Sequence, residues 1–64
     1  MNKHEQDTRI GLRLKTLREA RGVSQERLAA GMQIENRQTI AAIEAGARRV
    51  SAEELARAAA LLGV

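Results

Sequence analysis

The chain has 64 residues, 44% of them hydrophobic, with no Phe, Tyr, Trp, Cys or Pro and a formal net charge of +3. A chain this short forms one small domain that buries only about 60% of its extended-chain surface, so a deep substrate cleft beside a core is excluded. The lack of Cys rules out disulfides and thiolate metal sites, and no apolar run nears the roughly 18 residues a membrane span needs.

The core must be built from Leu, Ile, Val, Met and Ala. With Ala, Leu, Arg and Glu abundant and strand formers sparse, this predicts an all-α fold. Charge is unevenly spread. Residues 1–23 hold six basic and three acidic side chains, residues 24–50 four and three, and residues 51–64 one and two. A polyanionic partner is therefore expected on the first two-thirds of the chain. The polar start, Met1 to Glu5, lacks an apolar signal region, which predicts a cytoplasmic protein.

Residues 1–8 are predicted as a flexible N-terminal segment and 9–64 as the folded domain. A first helix of about four turns begins after Asp7 as N-cap, places Ile10, Leu14 and Leu17 inward and stops at Gly22 after the basic Arg21. Ser24 caps a second helix, Gln25 to about Met32, which buries Leu28, Ala29 and Met32. After a short connection Asn36 caps a third, Arg37 to Ala45, with Ile40 and Ile43 inward and Gly46 beyond it. A basic loop holding Arg48 and Arg49 leads to Ser51, which forms a capping box with Glu54. That opens a fourth helix with Leu55, Ala58, Ala59 and Leu62 inward. Helices two and three are joined by only three or four residues, the spacing of a helix-turn-helix, here about 24–45.

Three stretches carry a resemblance: Ser24-Gln25-Glu26-Arg27-Leu28-Ala29, Arg37-Gln38-Thr39-Ile40 and Ile43-Glu44-Ala45-Gly46. With Ile10 to Arg18 and Glu54 to Val64 they resemble the phage-repressor and Cro type of helix-turn-helix domain, the XRE family, over about residues 9–64. Asn36-Arg37-Gln38-Thr39 resembles the sub-group that often precedes a zinc metallopeptidase domain. The resemblance implies a lambda-repressor-like domain of four to five helices that binds double-stranded DNA, as a bacterial or phage transcription regulator of repressor or antitoxin type, on DNA as a homodimer. One departure concerns the turn. Gln33 stands where the family often has Gly, at a cost of roughly 1 kcal/mol if it is left-handed, and Gly31 is the alternative stop.

In such a domain the start of the third helix enters the major groove. Arg37 can bond guanine O6 and N7, and Gln38 adenine N6 and N7, each with two bonds. Thr39 is a candidate for a thymine methyl or a phosphate. Ala42, where the family often carries a polar reader, offers a methyl contact alone. The resemblance gives Gln25 a phosphate contact and a brace on Arg37 or Gln38, with Asn36 joining the phosphate-facing group. Arg48 and Arg49 read as a phosphate clamp or as solvated charge, and Arg13 and Lys15 as weaker candidates of the same kind. Arg18 and Glu44 are expected to pair structurally between the first and third helices. Leu12 and the Leu61, Leu62 and Val64 face read as core packing or as a two-fold contact.

Catalysis finds no footing. His4 is the single histidine, and Glu53 and Glu54 are explained by solvation and capping. No metal, cofactor or small-molecule ligand is expected, and the lack of aromatic rings argues against single-stranded nucleic acid. The alternative to DNA binding is a protein-interaction module on the same fold.

Overall fold

The computed structural model describes residues 3–64, with side chains from Asp7 onward. Over that range the chain forms four helices and no strand: α1 (Lys3–Ala20), α2 (Gln25–Met32), α3 (Arg37–Glu44) and α4 (Ala52–Leu62). The three short helices start where side-chain oxygens close an open backbone N–H. Ser24 Oγ accepts from the Arg27 N–H at 3.0 Å and Asn36 Oδ1 from the Thr39 N–H at 3.1 Å. At α4 the capping box is reciprocal: Glu54 N–H donates to Ser51 Oγ at 3.1 Å, and Ser51 N–H to Glu54 Oε1 at 3.0 Å.

Helix α1 departs from the sequence reading at its start. It begins at Lys3, so Asp7 lies inside the helix and does not cap it. The side chain of His4 and the rest of residues 1–6 lie outside the described side chains. The C-terminal stop is where glycine predicted it. Gly22 has φ +66°, and the Val23 N–H reaches back to the Arg18 carbonyl at 3.0 Å.

The core is aliphatic: Leu14, Leu28, Ala29, Met32, Ile40, Ile43, Ala58 and Leu62 are buried, with Leu17, Val23, Ile34, Val50 and Leu61 packed around them. Contacts run between α1 and α3, α2 and α3, and α2 and α4. The inward stripe of α1 passes through Gly11, Leu14 and the half-buried Arg18, and leaves Ile10 37% exposed. A side chain at Gly11 would drive its Cβ into the Ile43 carbonyl group. The helix axes can approach so closely only because that position is bare. Leu55, read as inward, is also partly exposed, at 39%.

The turn between α2 and α3 settles the choice between Gly31 and Gln33. Gly31 lies within α2, where a Cβ would come 2.7 Å from Leu61 Cδ2, so its bareness serves helix packing. Gln33 itself takes the left-handed conformation, φ 61° and ψ 39°. Its N–H bonds the Ala30 carbonyl at 3.2 Å and the Ile34 N–H the Ala29 carbonyl at 2.9 Å, the paired bonds of a Schellman stop. Ile34 packs on the core next to it, so tertiary contact holds a residue that local preference would reject. Replacing Gln33 by Gly is expected to remove that strain and raise stability by about 1 kcal/mol, or about 4–8 °C in Tm, in a thermal melt followed by circular dichroism. An unchanged or lower Tm would mean that Gln33 bears no strain.

Candidate nucleic-acid interface

The N-terminal end of α3 carries its polar side chains outward. Ile40, Ile43 and Glu44 form the buried side of the helix, which turns Arg37, Gln38 and Ala41 to solvent. Among the described residues Arg37 and Gln38 have no ion pair or side-chain hydrogen bond, so their donors are open. Asn36 is committed at Oδ1, which accepts from both the backbone N–H and the hydroxyl of Thr39, at 3.1 and 3.2 Å. Thr39 is thus half-buried, with its hydroxyl engaged in the cap. One turn on, Ala41 is the exposed alanine and Ala42 is half-buried, the reverse of the emphasis in the sequence reading.

What fixes this end of α3 is a carboxylate at the other. Glu44 is buried, its side chain 4% exposed, and it takes the fork of Arg18 with Nε to Oε2 at 2.6 Å and Nη2 to Oε1 at 3.2 Å. A third donor, Gln25 Nε2, reaches Glu44 Oε1 at 3.1 Å from the first turn of α2. Arg18 Nη1 also donates to the Val23 carbonyl at 2.8 Å. One carboxylate therefore joins α1, α2 and α3. The bond to Glu44 raises the Arg18 pKa above its ordinary value, against the opposing effect of burial. The resemblance implies a Gln25 brace on Arg37 or Gln38. It lies on Glu44, because those side chains point outward while Gln25 points toward the end of α3.

The two arginines of the loop after α3 have different roles. Arg48 is half-buried and forks onto Glu54, with Nη1 to Oε1 at 3.2 Å and Nη2 to Oε2 at 3.1 Å, and it donates to the Arg49 carbonyl at 3.1 Å. It thereby extends the capping box of α4, and a free phosphate clamp of two arginines is not what the loop presents. The Arg48 guanidinium, with the Ser51 N–H next in weight, holds the Glu54 carboxyl below its ordinary value. A depressed carboxylate pKa stabilises the fold above the unfolded-state value, and that contribution is lost as pH falls through the folded one. Arg49 is 70% exposed, with only a 3.9 Å approach to Asp7. It is the loop cation open to a polyanion.

A family model described as a helix-turn-helix domain matches residues 9–64. The chain belongs to this helix-turn-helix family. No curated protein and no solved structure matches it. Membership makes this a DNA-binding fold, with α2 and α3 as the paired helices. No helix of the described residues is long and apolar enough to cross a membrane.

Other parts of the helix-turn-helix domain were not read from sequence. Arg21 Nη1 donates to the Leu62 carbonyl at 2.6 Å and so ties the end of α1 to the open carbonyls of α4. Arg-rich helix termini are too common to single this pair out. Arg13 and Lys15 are exposed, and by helical phase Arg13 sits on the side of α1 turned away from the Gly11, Leu14 and Arg18 stripe.

Losing either partner of the Arg18–Glu44 pair strands a desolvated charge. Glu44→Leu and Arg18→Met are each expected to cost about 3–5 kcal/mol, enough to unfold much of a domain this small at 25 °C, while the double variant recovers most of the loss. Denaturant unfolding of all four proteins checks this. Single variants within about 1 kcal/mol of wild type would place the pair with ordinary surface bridges.

Proposed function

We propose that this domain binds duplex DNA sequence-specifically as part of a bacterial or phage transcription regulator of the XRE type. In this reading α3 lies in the major groove and Arg37 and Gln38 read base edges. The observation that carries it is the pairing of two unengaged, exposed donors at the start of α3 with a buried three-helix brace at its end. A reading helix must hold its side chains in register with the base pairs, and an eight-residue helix cannot do so alone.

The remaining contacts divide by chemistry. Gln25, Asn36 and Arg49 face the sugar–phosphate backbone. Each has a free donor: one N–H of the Gln25 amide, the amide of Asn36 and the Arg49 guanidinium. The open N–H groups in the first turns of α2 and α3 favour the same anions. Arg48 contributes through the loop it holds. Ala41 and Ala42 leave one turn of α3 without hydrogen-bonding readers, so discrimination rests on Arg37, Gln38 and duplex shape. The domain acts as a homodimer on inverted half-sites about one helical turn apart, and it is a binding module and not an enzyme.

Arg49→Ala is expected to weaken binding on all duplexes alike and to lower the slope of log K against log salt by about 1. Arg37→Ala is expected to cost about 1–3 kcal/mol at a single base pair of a site selected from a random pool, and to relax preference there. Fluorescence anisotropy across a salt series measures both. Binding that ignores salt would overturn the proposal, and an equal loss on every sequence would reduce Arg37 to a phosphate contact.

A further inference from the structure

Two of the large hydrophobic side chains left in solvent flank one face of α1 from opposite sides: Ile10, 37% exposed, and Leu12, 60% exposed. They border a shallow, open groove along this one helix, whose other lining residues are Arg9, Arg13, Thr16 and Leu17. By helical phase the long stems of Arg9 and Arg13 lie between Leu12 on one side and Ile10 and Leu17 on the other. Thr16 adds to the apolar character, because its hydroxyl is turned back onto the Leu12 carbonyl at 3.0 Å and leaves its methyl to the groove. Among the described residues neither Arg9 nor Arg13 has an ion pair, whereas Arg18, Arg48 and Arg57 each have one of 3.1 Å or less.

This surface goes beyond DNA binding. It lies on the flank of α1 away from the Gly11, Leu14 and Arg18 stripe that meets α3, so a duplex against the start of α3 does not cover it. The guanidinium groups of Arg9 and Arg13 would suit a phosphate backbone, but that backbone has nothing to bury against the exposed Leu12 beside them. It is also a poor fit to a second copy, because α1 paired with its own outer face by a two-fold axis sets Arg9 and Arg13 against Arg9 and Arg13. We infer that the outer face of α1 is a docking surface for an acidic amphipathic helix of another protein, with apolar side chains packed on Leu12, Leu17 and the stems of Arg9 and Arg13, and carboxylates on the two guanidinium groups. The mode is helix on groove, with apolar anchors at helical spacing and the charges setting register and choice of partner.

The test uses the whole chain and three synthetic peptides of about 18 residues: a helix with leucines at amphipathic spacing and glutamates beside them, the same helix with lysines for the glutamates, and a scramble of the first. By fluorescence anisotropy the acidic helix is expected to bind at least about tenfold tighter than either control, and Leu12→Ser is expected to remove about that factor. Arg9→Glu with Arg13→Glu is expected to reverse the charge preference, and duplex DNA affinity is expected to fall far less than with Arg49→Ala. Leu12 is exposed, so its variant should melt with the wild type; if it does not, the charge reversal alone decides. Equal binding of the acidic and lysine helices overturns the inference. So does a DNA loss on charge reversal that matches Arg49→Ala, which makes the face a phosphate surface. A self-association in sedimentation equilibrium that Leu12→Ser dissolves also overturns it, since the occupant is then a second copy.

Discussion

Glu44 is the constraint on which the arrangement rests. A carboxylate with almost no contact with water is costly unless its lone pairs are filled, and here three donors from two other helices fill them. The geometry this demands is narrow: the guanidinium fork of Arg18 must lie in the carboxylate plane and the Gln25 amide must come in beside it. Meeting that demand sets the angle of α3 against α1 and the seat of α2 on both. The start of α3 then projects at a fixed place relative to the first turn of α2. Those are the two ends that a helix-turn-helix offers to a duplex. Such a network specifies position more than it adds net stability, because apolar residues of similar size could fill the same space.

The second constraint is the absence of aromatic rings. A core of Leu, Ile, Met and Ala supplies little volume per residue, so the helices must come close to exclude water. Gly11 lets α1 cross against the Ile43 carbonyl, and Gly31 admits Leu61. Gly46, at φ +78°, turns the chain where a Cβ would stand 2.8 Å from Thr8 Cα. That last approach brings the loop after α3 against α1 and sets Arg49 near Asp7. The placement of the exposed loop cation thus follows from a packing choice.

Local signals were readable in the sequence because they need only a few residues. Ser24, Asn36 and the Ser51–Glu54 box mark three helix starts, and Gly22 marks a stop, since caps are decided by adjacent backbone groups. The Arg18–Glu44 pair followed from the family resemblance and not from spacing. What stayed hidden was decided in three dimensions. The inward stripe of α1 runs through a glycine and an arginine, neither of which scores as core, and this displaced Ile10 from its expected place. Good helix formers before Asp7 let α1 begin earlier than the cap signal suggested. Arg48 reads as a free cation until Glu54 is seen to do two jobs. Gln33 looks wrong for its turn until Ile34 is seen anchoring it.

The proposed duplex site is one face, made by the starts of α2 and α3 and the loop after α3. Amide chemical-shift mapping of the labelled domain with a short duplex tests that assignment most directly. The shifts are predicted to cluster at Gln25 and Glu26, across residues 36–42 and at Arg49, and to leave the outer face of α1 from Arg9 to Thr16 nearly unmoved. Shifts concentrated on α1 or α4, with residues 36–42 silent, would contradict the account.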